Sequence, residues 1–382
     1  MGLDDLPQSL ASEHRERIAE MRRIALTTFA PIAEEGPRGR VNRTLLKELG
    51  RTGVLPLIFP KVLGGESTAE ISATTLCSVR EGLAGGSTAA ETALALQGLG
   101  AYPILQSGVP ELKEQWIPPV ASGEAVAAFA LTEPDAGSDA AALALRADRV
   151  EGGYRLTGTK KWISNAPDAD IYTVFARTGP EAGTRGITAF AVPGGTEGVG
   201  GAPLTLLAPH VMGTLELNEV FVPDDHVLGD VGRGFGVAMA TLDLFRPSVG
   251  AFAVGMAQAA LEAGVKHAGV RESFGKPLRD LQAVSHPLAE AAARVKAARL
   301  LVYDAAALYD SGERVTKAAA IAKLYATETA QFVIDTALQI HGAQGLEEGH
   351  LLAHLYREVR ATRIYEGTSE IQREVIAREL YR

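Results

Sequence analysis

The strongest constraint on this chain is a change of texture that happens twice. Up to about residue 120 the sequence reads as amphipathic helical segments broken by Gly and Pro. From Glu124 it turns into short runs rich in Val, Ile, Thr and aromatic residues, and after Gly236 it returns to long helical patterns. Apolar residues spaced three and four apart give a helix one buried face, whereas short β-branched runs between turn residues suit strands. The order predicts an α+β fold of three consecutive domains: helical over 1–123, β over 124–232 and a helix bundle over 233–382.

Within the first region, 9–29 and 42–52 read as helices, with Asn42 placed as an N-cap. Strand candidates in the second are 125–131, 144–150, 154–156, 171–177, 186–192 and 215–222, with Glu151-Gly152-Gly153 as a hairpin connection. Strands with no helices between them argue for an antiparallel sandwich or barrel. In the third region, Leu288, Ala292, Val295, Ala298, Val302, Ala305 and Tyr309 form a helical stripe over 285–310. A second helix spans 316–340, capped by Thr316 and ended by Gly342. A last one starts near Ser369, where Ser369 and Gln372 have capping-box spacing.

Composition narrows the chemistry. The single cysteine, Cys77, rules out a disulfide framework and any cysteine-based zinc or iron–sulfur site. Lys and Arg number 37 against 46 Asp and Glu, a balance of −9 that argues against binding a phosphate backbone. The middle region carries most of the imbalance, with 7 basic and 15 acidic residues over 121–230. The longest apolar stretch, 247–261, is shorter than the ~20 residues of a membrane span, so a cytoplasmic protein is expected. No Walker A, GxGxxG or GxSxG motif is present. His350 and His354 lie four apart and read as ordinary surface histidines, so no metal is expected.

Three segments are odd for purely structural elements. Residues 129–139, FALTEPDAGSD, place two small hydroxyl side chains, acids and a proline beside a strand, as a ligand-binding loop or a capped turn would. Residues 160–165, KKWISN, set a tryptophan among lysines and a Ser-Asn pair, suited either to the core or to a flat ligand on the indole face. Residues 364–370, IYEGTSE, hold Glu366 just before a helix start, either as an acid favoured by the helix dipole or as a positioned base.

Taken together and in order, LTEPDAGSD (131–139), KWISN (161–165), RESFGKPL (271–278) with LQAVSH (281–286), LQIHGAQG (338–345) and RIYEGTSEIQREVIARE (363–379) resemble the acyl-CoA dehydrogenase family of flavoenzymes. The colinear resemblance spans about two-thirds of the chain. It implies a helical N-terminal domain, a central antiparallel β domain and a C-terminal four-helix bundle, commonly a homotetramer (or a dimer), with one FAD per subunit.

By position, Phe129, Leu131, Thr132, Trp162 and Ser164 are implied around the isoalloxazine ring, and Thr368 and Glu370 near the flavin or its diphosphate. Arg271, Ser273, Phe274, Gln282, Gln339 and Gly342 are implied at the nucleotide end of the cofactor. Glu366 matches the family's usual base, which takes a C2 proton from an acyl thioester while hydride leaves C3 for flavin N5. Some relatives carry the base in the helix that here holds Phe245, which supports Glu366. Asp243, Arg246 and Ser138 match contacts to coenzyme A, Ser138 also lying beside the cofactor, and Tyr365 and Gly367 flank the substrate. The implied partners are an acyl-CoA and electron-transfer flavoprotein, without nucleic acid.

After Met212-Gly213 the chain lacks residues that the family usually has, which leaves substrate range and electron acceptor open. A dehydrogenase of carrier-protein-bound acyl or amino-acyl groups and an oxygen-using oxidase are the alternatives.

Overall fold

The computed structural model describes residues 10–67, 71–179, 183–208 and 210–382, so Ser9 of the first expected helix lies outside the described residues. Eleven α-helices are described: α1 (Ser12–Ile24), α2 (Ala30–Glu34), α3 (Arg43–Arg51), α4 (Ala73–Ala84), α5 (Thr88–Ser107), α6 (Pro110–Ala121), α7 (Gly234–Val270), α8 (Gln282–Asp310), α9 (Thr316–His341), α10 (Leu351–Thr362) and α11 (Ser369–Leu380). The eight strands of the β region are β1 (Ala127–Ala130), β2 (Arg146–Val150), β3 (Gly153–Ser164), β4 (Ile171–Arg177), β5 (Ile187–Pro193), β6 (Val199–Gly200), β7 (Met212–Pro223) and β8 (Val227–Leu228). A small hairpin of β9 (Glu272–Ser273) and β10 (Lys276–Pro277) follows α7.

Compactness does not follow chain order. One unit gathers residues 10–30 with Ser72–Glu91 and Asp243–Arg382, and the other holds Pro31–Ile71 and Thr92–Leu242. In the first unit, α9 packs against α8, α10 and α11, while α4 packs against α1 and α8. The part of α7 in this unit is its core: Phe245, Val249, Phe252, Val254 and Met256 are buried, and each such side chain contributes about 1.5–3 kcal/mol. Gly255 lets α7 approach α4 closely, since a Cβ there would meet Glu81 O at 2.4 Å. The apolar stretch expected to be too short for a membrane span thus belongs to a 37-residue helix that is long and apolar enough, and the relevant window is 83% buried in protein. It is a core helix.

In the second unit the strand order is β6-β7-β3-β2-β4-β5-β8, with β1 added along β4. Most pairs are antiparallel, as expected for strands joined by short turns. The hairpin at Glu151-Gly152 closes with Val150 opposite Gly153. Two junctions, β1 with β4 and β2 with β4 at Arg146↔Arg177, are parallel. The β2–β3 hairpin lies between β1 and β4, and β3 between β2 and β4, so each parallel pair has the crossover it requires.

Three local expectations change. Strand β3 is far longer than 154–156, because Lys160 is buried in phase with Tyr154 and Leu156. Thr316 does not cap α9: the N-cap is Val315, and the Thr316 hydroxyl donates to Asp243 at 3.0 Å. The cap of α11 is Thr368, whose hydroxyl accepts from Ile371 N, rather than a Ser369–Gln372 box. Ser369 donates to Glu328 and Gln372 turns back to the preceding loop. Asn42 does cap α3, accepting from Leu45 N at 3.0 Å, and Gly342 follows α9 with φ +61°.

Candidate active site

Glu366 sits in the tight link between α10 and α11, with φ +52°, followed by Gly367 at +91°. The residue is half-buried, yet its Oε2 is shut off from solvent and accepts no hydrogen bond among the described residues. Burial raises the carboxyl pKa above the usual glutamate range, against the opposing pull of Arg80, Lys323 and Arg246. A buried carboxylate with an uncommitted oxygen and a raised pKa can accept a proton at working pH.

Its surroundings are ionic. Arg80 on α4 is buried and donates to Glu91 at 2.5 Å and to Ser248 at 2.6 Å. Arg246 on α7, also buried, donates to Asp243 at 3.4 Å and to the Glu366 carbonyl at 3.2 Å. Asp243 in addition accepts from Thr316, so Asp243 and Arg246, two of the three residues matched to coenzyme A, have partners inside this unit. Phe245, at the alternative base position, is buried. The freedom at Gly367 serves an internal contact: a Cβ there would meet Gln372 Nε2 at 2.5 Å.

The same unit carries the residues matched to the nucleotide end. Phe274, at the tip of the β9–β10 hairpin, is 92% exposed with φ +53°. Arg271, Gln282, Gln339 and Gly342 are exposed or half-exposed, and Ser273 is half-buried. The His267 and His341 rings stack at 4.1 Å, which joins the end of α7, and with it Arg271, to the end of α9 at Gln339 and Gly342. Thr368 is committed as the α11 cap, Glu370 is exposed in the first helical turn, and Tyr365 is half-buried.

In the other unit, the 127–133 and 160–165 segments are knitted together. Lys160 Nζ donates to Leu131 O at 3.0 Å and to Glu133 Oε1 at 2.8 Å, Lys161 N to Thr132 O at 3.0 Å, and Asn165 Nδ2 to Ala127 O at 2.8 Å. The β3–β7 register slips between Lys160 and Ile163. Such a bulge re-aims a side chain, and Trp162 takes φ +57° and is 44% exposed. Phe129, Thr132 and Ser164 are half-buried on these same segments and Leu131 is buried. Ser138 is exposed on the following turn.

Sequence reasoning missed Lys160, Glu133, Arg80, Lys323 and Gln372. Period-two alternation with Tyr154 and Leu156 already puts Lys160 on the inner face of its strand. Lys323 similarly falls on the buried stripe of α9 with Ala319, Ala320 and Ala326.

Family models for the acyl-CoA dehydrogenase N-terminal, middle and C-terminal domains match residues 11–124, 128–220 and 232–381. The chain belongs to the acyl-CoA dehydrogenase family. It is 36% identical over 364 residues to cyclohexane-1-carbonyl-CoA dehydrogenase of Geobacter metallireducens, covering 94% of this chain and 95% of that one. It is 37% identical over 347 residues to subunit CarC of the caffeyl-CoA reductase–Etf complex of Acetobacterium woodii, covering 89% and 90%. The structure of butyryl-CoA dehydrogenase from Megasphaera elsdenii superposes with a TM-score of 0.92 at 34% identity, covering 99% of this chain and all of that one. As an acyl-CoA dehydrogenase the protein is an FAD-dependent oxidoreductase.

Proposed function

We propose that this acyl-CoA dehydrogenase converts an acyl-CoA thioester to its 2-enoyl form with Glu366 as the base that removes the C2 proton. One observation carries the assignment: Oε2 of Glu366 is buried and accepts no hydrogen bond among the described residues, in a carboxyl whose pKa burial has raised. The left-handed backbone at Glu366 aims that carboxylate, and Arg80, Lys323 and Arg246 together keep it from being held protonated by burial alone.

The residues fit a flavin. An isoalloxazine ring presents flat apolar faces and a polar edge, and the half-exposed indole of Trp162 with Thr132 and Ser164 suits both. Phe129 and Leu131 line the same segment. Arg271, Ser273, Phe274, Gln282, Gln339 and Gly342 would hold the nucleotide end, and Thr368 with Glu370 would lie near the flavin or its diphosphate at the α11 N-terminus. Bound FAD supplies the hydride acceptor. Tyr365 and Gly367 flank the acyl group, and Asp243, Arg246 and Ser138 serve the coenzyme A side. The exposed Phe274, Val270 and Leu346 suit burial in a homotetramer working in the cytoplasm. Electron-transfer flavoprotein is the proposed acceptor, supported by the relative named as a subunit of an Etf complex.

The test is anaerobic titration of the purified yellow protein with a panel of acyl-CoAs. Bleaching of the flavin by a saturated acyl-CoA is expected, and a colourless protein that cannot take up FAD overturns the reading. The relative named as a caffeyl-CoA reductase favours a second reading, reduction of a 2-enoyl-CoA by the same residues. Reoxidation of chemically reduced protein by a 2-enoyl-CoA, with no bleaching by saturated thioesters, would select it.

A further inference from the structure

The link that carries Glu366 is held from three helices at once. Lys323 on α9, whose side chain is fully buried, donates from Nζ to Gly367 O at 2.7 Å. Arg246 on α7 donates to Glu366 O at 3.2 Å, and Gln372 on α11 donates to the carbonyls of Glu366 and Gly367 at 3.1 and 3.0 Å. A left-handed glutamate costs about 1–2 kcal/mol and persists only where its surroundings over-determine it. These four hydrogen bonds to two successive carbonyls do so, and the two from cations are the stronger kind.

Pinning a carbonyl does not by itself require a buried lysine, because a neutral amide would serve at lower desolvation cost. The charge therefore calls for its own account. Among the charged groups around Glu366, Arg80 on α4 is neutralised by Glu91 on α5, and Arg246 is countered by Asp243, both on α7. Glu328 on α9 is bonded to Ser369 and Arg363, Glu358 on α10 faces His354, and Glu370 on α11 lies on the surface beside Arg373. Lys323 alone in this group makes no ion pair among the described residues: its hydrogen bond goes to a carbonyl, and its field acts on the Glu366 carboxylate.

Resting on the reading of Glu366 as the base, we propose that Lys323 is a positioning residue for the reaction. Its ammonium pins the Gly367 carbonyl so that the Glu366 carboxylate keeps one direction, and its charge adds to those of Arg80 and Arg246 in holding that carboxylate ionised before the proton is taken. Burial brings the Lys323 ammonium itself down to about 8, so it is still charged near neutral pH.

The test compares Lys323→Met, Lys323→Gln, Lys323→Arg and Glu366→Gln in the FAD-loaded enzyme. Two readouts are followed against pH: the rate of flavin bleaching by acyl-CoA, and the infrared band of the protonated Glu366 carboxyl, assigned by its loss in Glu366→Gln. Lys323→Met is expected to slow bleaching about 10²-fold, the effect of a misplacement near 1 Å, with less than about a threefold change in acyl-CoA affinity. Removing the cation favours the protonated acid, so both the carboxyl band and the acid limb of the rate move to higher pH. Lys323→Gln, able to donate but uncharged, is expected to keep most of the rate at high pH and still show the shift. Lys323→Arg restores both. If Lys323→Met does not fold, Lys323→Gln decides alone. An unmoved band and acid limb in the folded uncharged variant overturn the proposal, whereas normal bleaching by Glu366→Gln overturns the base assignment beneath it.

Discussion

Each compact unit sets a glutamate carboxylate near a fully buried lysine, and the two pairs are wired differently. In the β unit, Glu133 accepts from Lys160 Nζ and from the backbone N–H groups of Ala144 and Leu145, so both its oxygens are bonded. In the helical unit, Glu366 Oε2 has no donor among the described residues, and Lys323 bonds the backbone next door instead of the carboxylate. A buried charge with both oxygens bonded staples two segments together. One left short of donors costs stability, and such groups are found where proton transfer needs them. The residue types are the same in both places; the routing of the hydrogen bonds separates structure from chemistry.

The largest way to break this contrast is Glu366→Gln. Loss of a positioned base is expected to cost about 10²–10⁴ in turnover with flavin retained, measured as the rate of anaerobic bleaching. Stability should move the other way. Burial raises the folded-state pKa of Glu366, so the native state binds its proton more tightly than the unfolded chain, and folding loses stability as pH rises through that interval. The neutral amide of the Glu366→Gln variant carries no such penalty, and its Tm at pH 7 should stay level or rise.

Lys160→Met tests the other side of the comparison. It leaves Glu133 buried without its cation, a change that costs about 3–5 kcal/mol. Chemical denaturation should report that loss, and flavin affinity should fall with it because the Leu131 carbonyl loses its donor. Gly367→Ala sharpens the view of the link that carries Glu366. Its Cβ would displace Gln372 and disfavour φ +91°, lowering the bleaching rate more than the melting temperature. Thr368→Ala is the mildest, removing an N-cap worth about 1 kcal/mol, and should appear in thermal melts.

Much of this was legible before any coordinates. The helix–strand–helix texture, the Asn42 cap, the hairpin at Glu151-Gly152 and the segments around Trp162 and Glu366 all follow from spacing and residue type. Capping was harder, since Thr368, Ser369 and Gln372 compete for one helix start and only their tertiary partners decide among them. Lysine is usually solvated, so the two buried lysines do not stand out by residue type, although each stands in phase with its neighbours' buried face.

The sequence alone determined the helix–strand–helix order and which short motifs stand out, because periodicity and turn chemistry are local. Tertiary structure decided that Trp162, Phe274 and Glu366 adopt left-handed backbone, that Lys160 and Lys323 go inside, and that one glutamate is fully bonded while the other is not. Those outcomes depend on donors and acceptors brought together from distant parts of the chain, which local spacing does not encode.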